Sequence, residues 1–151
     1  MIVIRHHDFC AAHRIVGHPG QCRRLHGHNY RIHFHLTGKV NPVTGMVMDF
    51  SVIKGTLCTW IDMYWDHRTI LWDEDPMIDE LTSVVDKCCG IGSVVAVPFN
   101  PTAENMTQYV LDVVGPMVLP EDVVLETVTL EETRKCSVST SLWEVERVVS
   151  Q

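Results

Sequence analysis

The order of elements in this sequence predicts an α+β fold, a four-stranded antiparallel sheet with two main helices laid on one face. Three observations carry that prediction. Residues 28–38 alternate, with Tyr30, Ile32, Phe34 and Leu36 on one side and Arg31, His33, His35 and Thr37 on the other. A period of two with one apolar side marks a half-buried strand. Strand-like runs close both ends of the chain, and helical spacing is confined to its middle.

Residues 2–12 read as a first strand leading to His13, and the turn-rich Val16-Gly17-His18-Pro19-Gly20 separates it from the strand at 28–38. Asn41-Pro42-Val43-Thr44-Gly45 is a second turn. Ser51 is placed to cap a helix over about 52–65, with Ile53, Leu57, Trp60, Ile61 and Tyr64 at helical spacing and Asp66-His67 at its end. Residues 77–89 hold a weaker helical pattern through Ile78, Leu81, Val84, Val85 and Cys88. Gly90-Ile91-Gly92 breaks it, and a short β-branched run follows over Ser93–Pro98. Thr102 caps a clearer helix whose stripe is Met106, Tyr109, Val110, Val113, Val114 and Met117, with Pro116 and Pro120 as its stops. Two strands, about 123–132 and 137–149, finish the chain around Arg134-Lys135. The outer sheet face is polar and rich in histidine, a surface that oligomerisation would cover.

At 151 residues, 46% hydrophobic and 21% charged, the chain has the size and composition of one globular domain. A formal charge of −7 argues against nucleic acid or an anionic membrane as main partner, though not against a small anion in a basic pocket. The N-terminus is charged within a few residues, and no run approaches the roughly 18 apolar residues of a membrane helix, so a cytoplasmic protein is expected. The 6 cysteines contain no CxxC pair and read as free thiols.

The chemistry concentrates in Cys22-Arg23-Arg24-Leu25-His26-Gly27-His28-Asn29-Tyr30. His26 and His28, two apart at the start of a strand, point the same way. With His13 from the neighbouring strand they make the three-protein-ligand set of a catalytic Zn²⁺, whose fourth position stays open. With 9 histidines in the chain, an HxH step also arises by chance, and His33/His35 share the spacing without the company. The glycine between the ligands, the nearby Cys22 and the upstream His13 favour the metal. Asp66-His67 alone is a weak pair, as often a helix-end feature as a proton relay. Glu131-Glu132 reads equally as a solvated pair or as an acceptor for a guanidine-like ring edge.

Six segments occur in order: Ala11-Ala12-His13, Cys22 to Tyr30, Gly45-Met46-Val47-Met48-Asp49-Phe50, Asp66-His67, Pro101-Thr102-Ala103-Glu104-Asn105 and Leu130-Glu131-Glu132-Thr133. Together they resemble the 6-pyruvoyl-tetrahydropterin synthase / 6-carboxy-tetrahydropterin synthase family of the tunnelling fold, over nearly the whole chain. The short members would not predict the stretch between about 73 and 98, which therefore reads as an insertion in a single domain spanning 1–151. The resemblance implies His13, His26 and His28 as zinc ligands, Cys22 as the catalytic cysteine, and Asp66 and His67 as the dyad that shuttles protons with it. It implies Glu132 as the acid anchoring the pterin ring and Glu104 as a polar position near the substrate.

Three residues between Cys22 and His26 resemble the 6-carboxy-tetrahydropterin synthases of queuosine-type 7-deazaguanine pathways, since the pyruvoyl-forming enzymes have a longer gap. The implied substrate is 7,8-dihydroneopterin triphosphate, cleaved to 6-carboxy-5,6,7,8-tetrahydropterin, acetaldehyde and triphosphate. The alternatives are the pyruvoyl-forming elimination and a non-catalytic pterin-binding oligomer. Arg14, Arg23 and Arg24 read equally as triphosphate contacts or as ordinary surface. The resemblance further implies a homo-oligomer, a hexamer, closed into a barrel. The active site is then expected to be shared between chains, with the zinc cluster near the N-terminal strands and Glu132 near the end of the third strand.

Overall fold

The structure is a computed structural model, and it describes residues 1–142. The far part of the strand expected over 137–149 lies outside the described residues. Among the described residues, six strands form one sheet: β1 (Val3–His13), β2 (His26–Gly38), β3 (Arg68–Trp72), β4 (Val94–Val97), β5 (Val123–Thr133) and β6 (Cys136–Ser141), in the order β4-β3-β1-β2-β5-β6. Pairs β1–β2, β2–β5 and β5–β6 are antiparallel, whereas β1–β3 and β3–β4 are parallel. The α+β class stands, but the expected four-stranded antiparallel sheet is in fact six-stranded and mixed.

The two extra strands have a simple cause. In β3 the residues Thr69, Ile70 and Leu71 are all buried, so no alternation marks it as a strand. Such a short, continuously buried run carries no period. A parallel neighbour also needs a crossover. The helix Ile78–Cys89 supplies it between β3 and β4, so the stretch at 73–98 extends the sheet itself.

Three helices among the described residues accompany the sheet: α1 over residues 50–64, α2 (Ile78–Cys89) and α3 over residues 103–118. None is long and apolar enough to cross a membrane. Tyr30, Ile32, Phe34 and Leu36 of β2 are at most 1% exposed and pack in one core with Ile53, Leu57 and Ile61 of α1 and Met106, Val110 and Val114 of α3. Each such side chain contributes about 1.5–3 kcal/mol on full burial, so this face anchors the fold.

Both long helices contain a π turn, at Lys54–Cys58 and at Val110–Val114. One wide turn shifts the buried stripe by a residue. Hence Tyr64 is 47% exposed while the next residue, Trp65, is buried. Likewise Val113 and Met117, expected in the stripe of α3, are exposed, and Leu111 is buried instead. The cap of α1 also moves: Asp49, not Ser51, is the N-cap, its carboxylate accepting the Ser51 N–H at 2.7 Å. Thr102 caps α3 as expected, but Pro116 sits within the last turn and the helix runs on to Val118.

On the outer face, Arg31 pairs with Asp8 at 2.6 Å and His33 with Glu131 at 2.6 Å, so two of the polar-side residues have partners within the chain.

Candidate metal and active site

The antiparallel register of β1 and β2 sets His13 directly opposite His26 and Ala11 opposite His28. The three imidazoles share the core-side face, His13 buried and the other two half-buried, and each offers a ring nitrogen within 4.8 Å of the others'. Gly27 lies between two ligands where the sheet is tight: a Cβ there would stand 3.1 Å from the Ala11 carbonyl oxygen.

The rings are oriented from behind. His13 Nδ1 donates to the Pro101 carbonyl at 2.8 Å and His26 Nδ1 to the Arg24 carbonyl at 2.7 Å. A carbonyl only accepts, so each proton sits on Nδ1 and leaves the Nε2 lone pair facing its neighbours. His13 Nε2 and His28 Nε2 are buried without a hydrogen-bond partner. Burial holds His13 and His28 below the ordinary imidazole value, keeping them neutral. Neutral, converging lone pairs without partners cost about 1–3 kcal/mol each, a cost that a bound cation removes. The residues fit a metal ion.

Glu132 Oε1 comes to 3.1 Å from His28 Nε2, without hydrogen-bond alignment. Glu132, near the end of the third long strand, and the histidines of the N-terminal strands thus meet within one chain. Because β5 runs antiparallel to β2, with Glu131 opposite Arg31, the end of β5 returns to the start of β2 within one chain. Glu131 points to the opposite face, on His33. Beside Glu132 lies the buried, unpartnered hydroxyl of Tyr30, whose pKa burial and the Glu132 charge push upward, so it stays a neutral phenol.

Asp66 and His67 follow the end of α1. His67 adopts φ 56°, uncommon for a residue other than glycine. The turn is held because the His67 N–H donates to the Cys10 carbonyl at 2.6 Å and the Cys10 N–H to Asp66 Oδ1 at 2.9 Å. Asp66 Oδ2 takes His67 Nδ1 at 2.8 Å. Partial burial raises Asp66, but the Cys10 N–H and His67 outweigh it and hold the carboxyl below the usual range.

A cleft of about 790 Å³ is walled by Cys10, His28, Tyr30, Asp66, His67 and Glu132, among others. The structure thus brings Asp66, His67, His28 and Glu132 together. Cys22 and Glu104 are not on its walls. Cys22 sits half-buried in the short turn Gln21–Arg23, and Glu104 stands exposed in the first turn of α3. Arg14 reaches the buried Asp75 at 3.1 Å and Arg23 the Pro19 carbonyl at 2.9 Å, so both have partners within the chain. Sequence reasoning passed over Cys10 and Tyr30 as cleft residues, although both flank the histidine motif and Tyr30 shares the ligand side of β2.

A family model described as 6-pyruvoyl tetrahydropterin synthase matches residues 2–142. The chain is 33% identical over 132 residues to a 6-carboxy-5,6,7,8-tetrahydropterin synthase of Rickettsia felis, covering 87% of this chain and 93% of that one. It is 40% identical over 123 residues to a Halobacterium salinarum protein described as a probable 6-carboxy-5,6,7,8-tetrahydropterin synthase, covering 82% and 75%. Among solved structures, the 6-pyruvoyl tetrahydropterin synthase of Caenorhabditis elegans superposes with a TM-score of 0.66 at 26% identity, over 93% of this chain and 94% of that one.

Proposed function

The chain belongs to the 6-pyruvoyl tetrahydropterin synthase family, and from that premise we propose that it is a cytoplasmic, zinc-dependent lyase. Its reaction converts 7,8-dihydroneopterin triphosphate to 6-carboxy-5,6,7,8-tetrahydropterin, acetaldehyde and triphosphate, a step of queuosine and 7-deazaguanine biosynthesis. The observation that supports it best is the convergence of His13, His26 and His28 beside Glu132.

His13, His26 and His28 hold the Zn²⁺, which when bound supplies Lewis acidity that lowers the pKa of substrate hydroxyls. Glu132 accepts two neighbouring N–H groups of the pterin edge, a charge-assisted bidentate contact. Asp66 fixes the His67 tautomer, so the far ring nitrogen, on a side chain 79% exposed, is free to exchange protons. Cys22 is the second proton-transfer group, and Glu104 borders the substrate pocket. Because Cys22 does not share the cleft with Asp66 and His67, a homo-oligomer, a hexamer, completes the site by setting one copy's Cys22 loop against another's cleft.

Incubating zinc-loaded protein with dihydroneopterin triphosphate and analysing products by mass spectrometry tests the reading. Acetaldehyde with 6-carboxytetrahydropterin is expected. A pyruvoyl product without acetaldehyde moves the chain to the triphosphate-eliminating reaction, and no turnover leaves a pterin-binding oligomer.

A further inference from the structure

We infer that the β3–α2–β4 crossover braces the Cys22 loop, with Asn100 as its positioning residue. Asn100 lies three residues beyond the end of β4, Val97. Its Oδ1 accepts the Val16 N–H at 3.0 Å and its Nδ2 donates to the Val16 carbonyl at 2.8 Å. One amide side chain thus satisfies both backbone groups of one loop residue, as a strand neighbour would. The residue before Val16 carries the contact onward: the Ile15 N–H donates to the Cys22 carbonyl at 2.8 Å.

Asn100 is itself fixed. Its carbonyl accepts the Thr102 N–H at 2.7 Å and Asn105 Nδ2 at 2.9 Å, which seats it on the start of α3. The next residue, Pro101, takes His13 Nδ1. Two successive residues therefore hold a metal-site histidine and the loop of Cys22 in one frame. At the other end of the crossover, Asp75 is 2% exposed, accepts the Met77 N–H at 2.8 Å and faces Arg14 Nε at 3.1 Å. The loop is gripped at Arg14 and at Val16, by residues at the two ends of the crossover. The crossover does more than widen the sheet.

The catalytic part of this inference rests on the proton-transfer role of Cys22 proposed above; the mechanical part does not. In Asn100→Ala, kcat should fall by roughly tenfold, in the range that small misplacements of a reacting group produce. KM and zinc content should hold. Alkylation of Cys22 by iodoacetamide, mapped by mass spectrometry, should accelerate several-fold. Asn100→Asp should not rescue either change, because its carboxylate would face the Val16 carbonyl without a donor. Amide exchange in the unmodified protein provides a reading that needs no variant: Val16 and Ile15 should be protected like strand residues. A purely structural Asn100 would lower Tm and leave kcat and Cys22 alkylation unchanged, and that result overturns the inference. Unprotected Val16 exchange also overturns it. A fully active Cys22→Ala would defeat the role of Cys22 while the alkylation and exchange measurements still decide the brace.

Discussion

The histidine cluster and the Cys22 loop sit close together in sequence, yet different forces place them. His13, His26 and His28 are set by the β1–β2 ladder, where each residue has a backbone partner and a fixed face. Cys22 is set by contacts from Asn100 to Val16, 84 residues apart, and from Arg14 to Asp75. A ladder moves only if the whole register slips, whereas a loop on side-chain clamps moves when one clamp is lost. Metal-site geometry should therefore survive changes that disable the thiol.

The largest effect tests the ladder side. His28→Ala removes one of three ligands, and elemental analysis should show most of the metal lost from a folded protein. Full retention would mean the ion is held elsewhere and the ladder assignment is wrong.

This difference also explains what the sequence made legible. Strict alternation in 28–38 and the HxH step disclose both the β2 face and the ligand set, because a period of two is a local property. The π turns in α1 and α3 have no such signature, so Trp60, Ile61 and Val114 fall in the core as their spacing suggests while Tyr64, Val113 and Met117 do not. β3 leaves no period because its three central residues are buried on both faces. The closeness of Glu132 to His28 depends on strand order, which no local pattern carries. Asn100 and Asp75 gave no signal, since each looks like a turn residue until its distant partner is known.

The second effect tests the loop side. Cys22→Ala should keep zinc and lose about 10²-fold or more in turnover, the scale of a positioned acid or base. Loss of zinc with activity would make Cys22 a fourth ligand and would erase the distinction between the two regions.

A smaller effect compares neighbours on β5. Glu132→Gln should weaken pterin binding by about tenfold or more, since a hydrogen bond to a charged group is worth about 1.5–3 kcal/mol, and zinc content should stay unchanged. Glu131→Gln should shift binding by much less, because Glu131 faces the other side and holds His33 at 2.6 Å. The reverse order of effects, measured by calorimetry with a pterin, would require β5 to slip by one residue.

The smallest effect concerns stability on the ladder side, where Asp66 ties the end of α1 to β1. Its folded pKa lies below the ordinary 3.8 because the Cys10 N–H and His67 outweigh burial. A carboxyl depressed on folding stabilises the protein above its unfolded pKa, and that contribution disappears as pH falls through the folded value. Asp66→Asn keeps an oxygen for the Cys10 N–H but removes the charge facing His67, so the loss should be about 1 kcal/mol, or about 2–4 °C in Tm. The gap between wild type and variant should be steady from pH 7 to about 5 and should narrow below about 4. Scanning calorimetry across that range reads it directly. A gap that persists unchanged at low pH would mean that the Asp66 charge does not carry the difference between the two proteins.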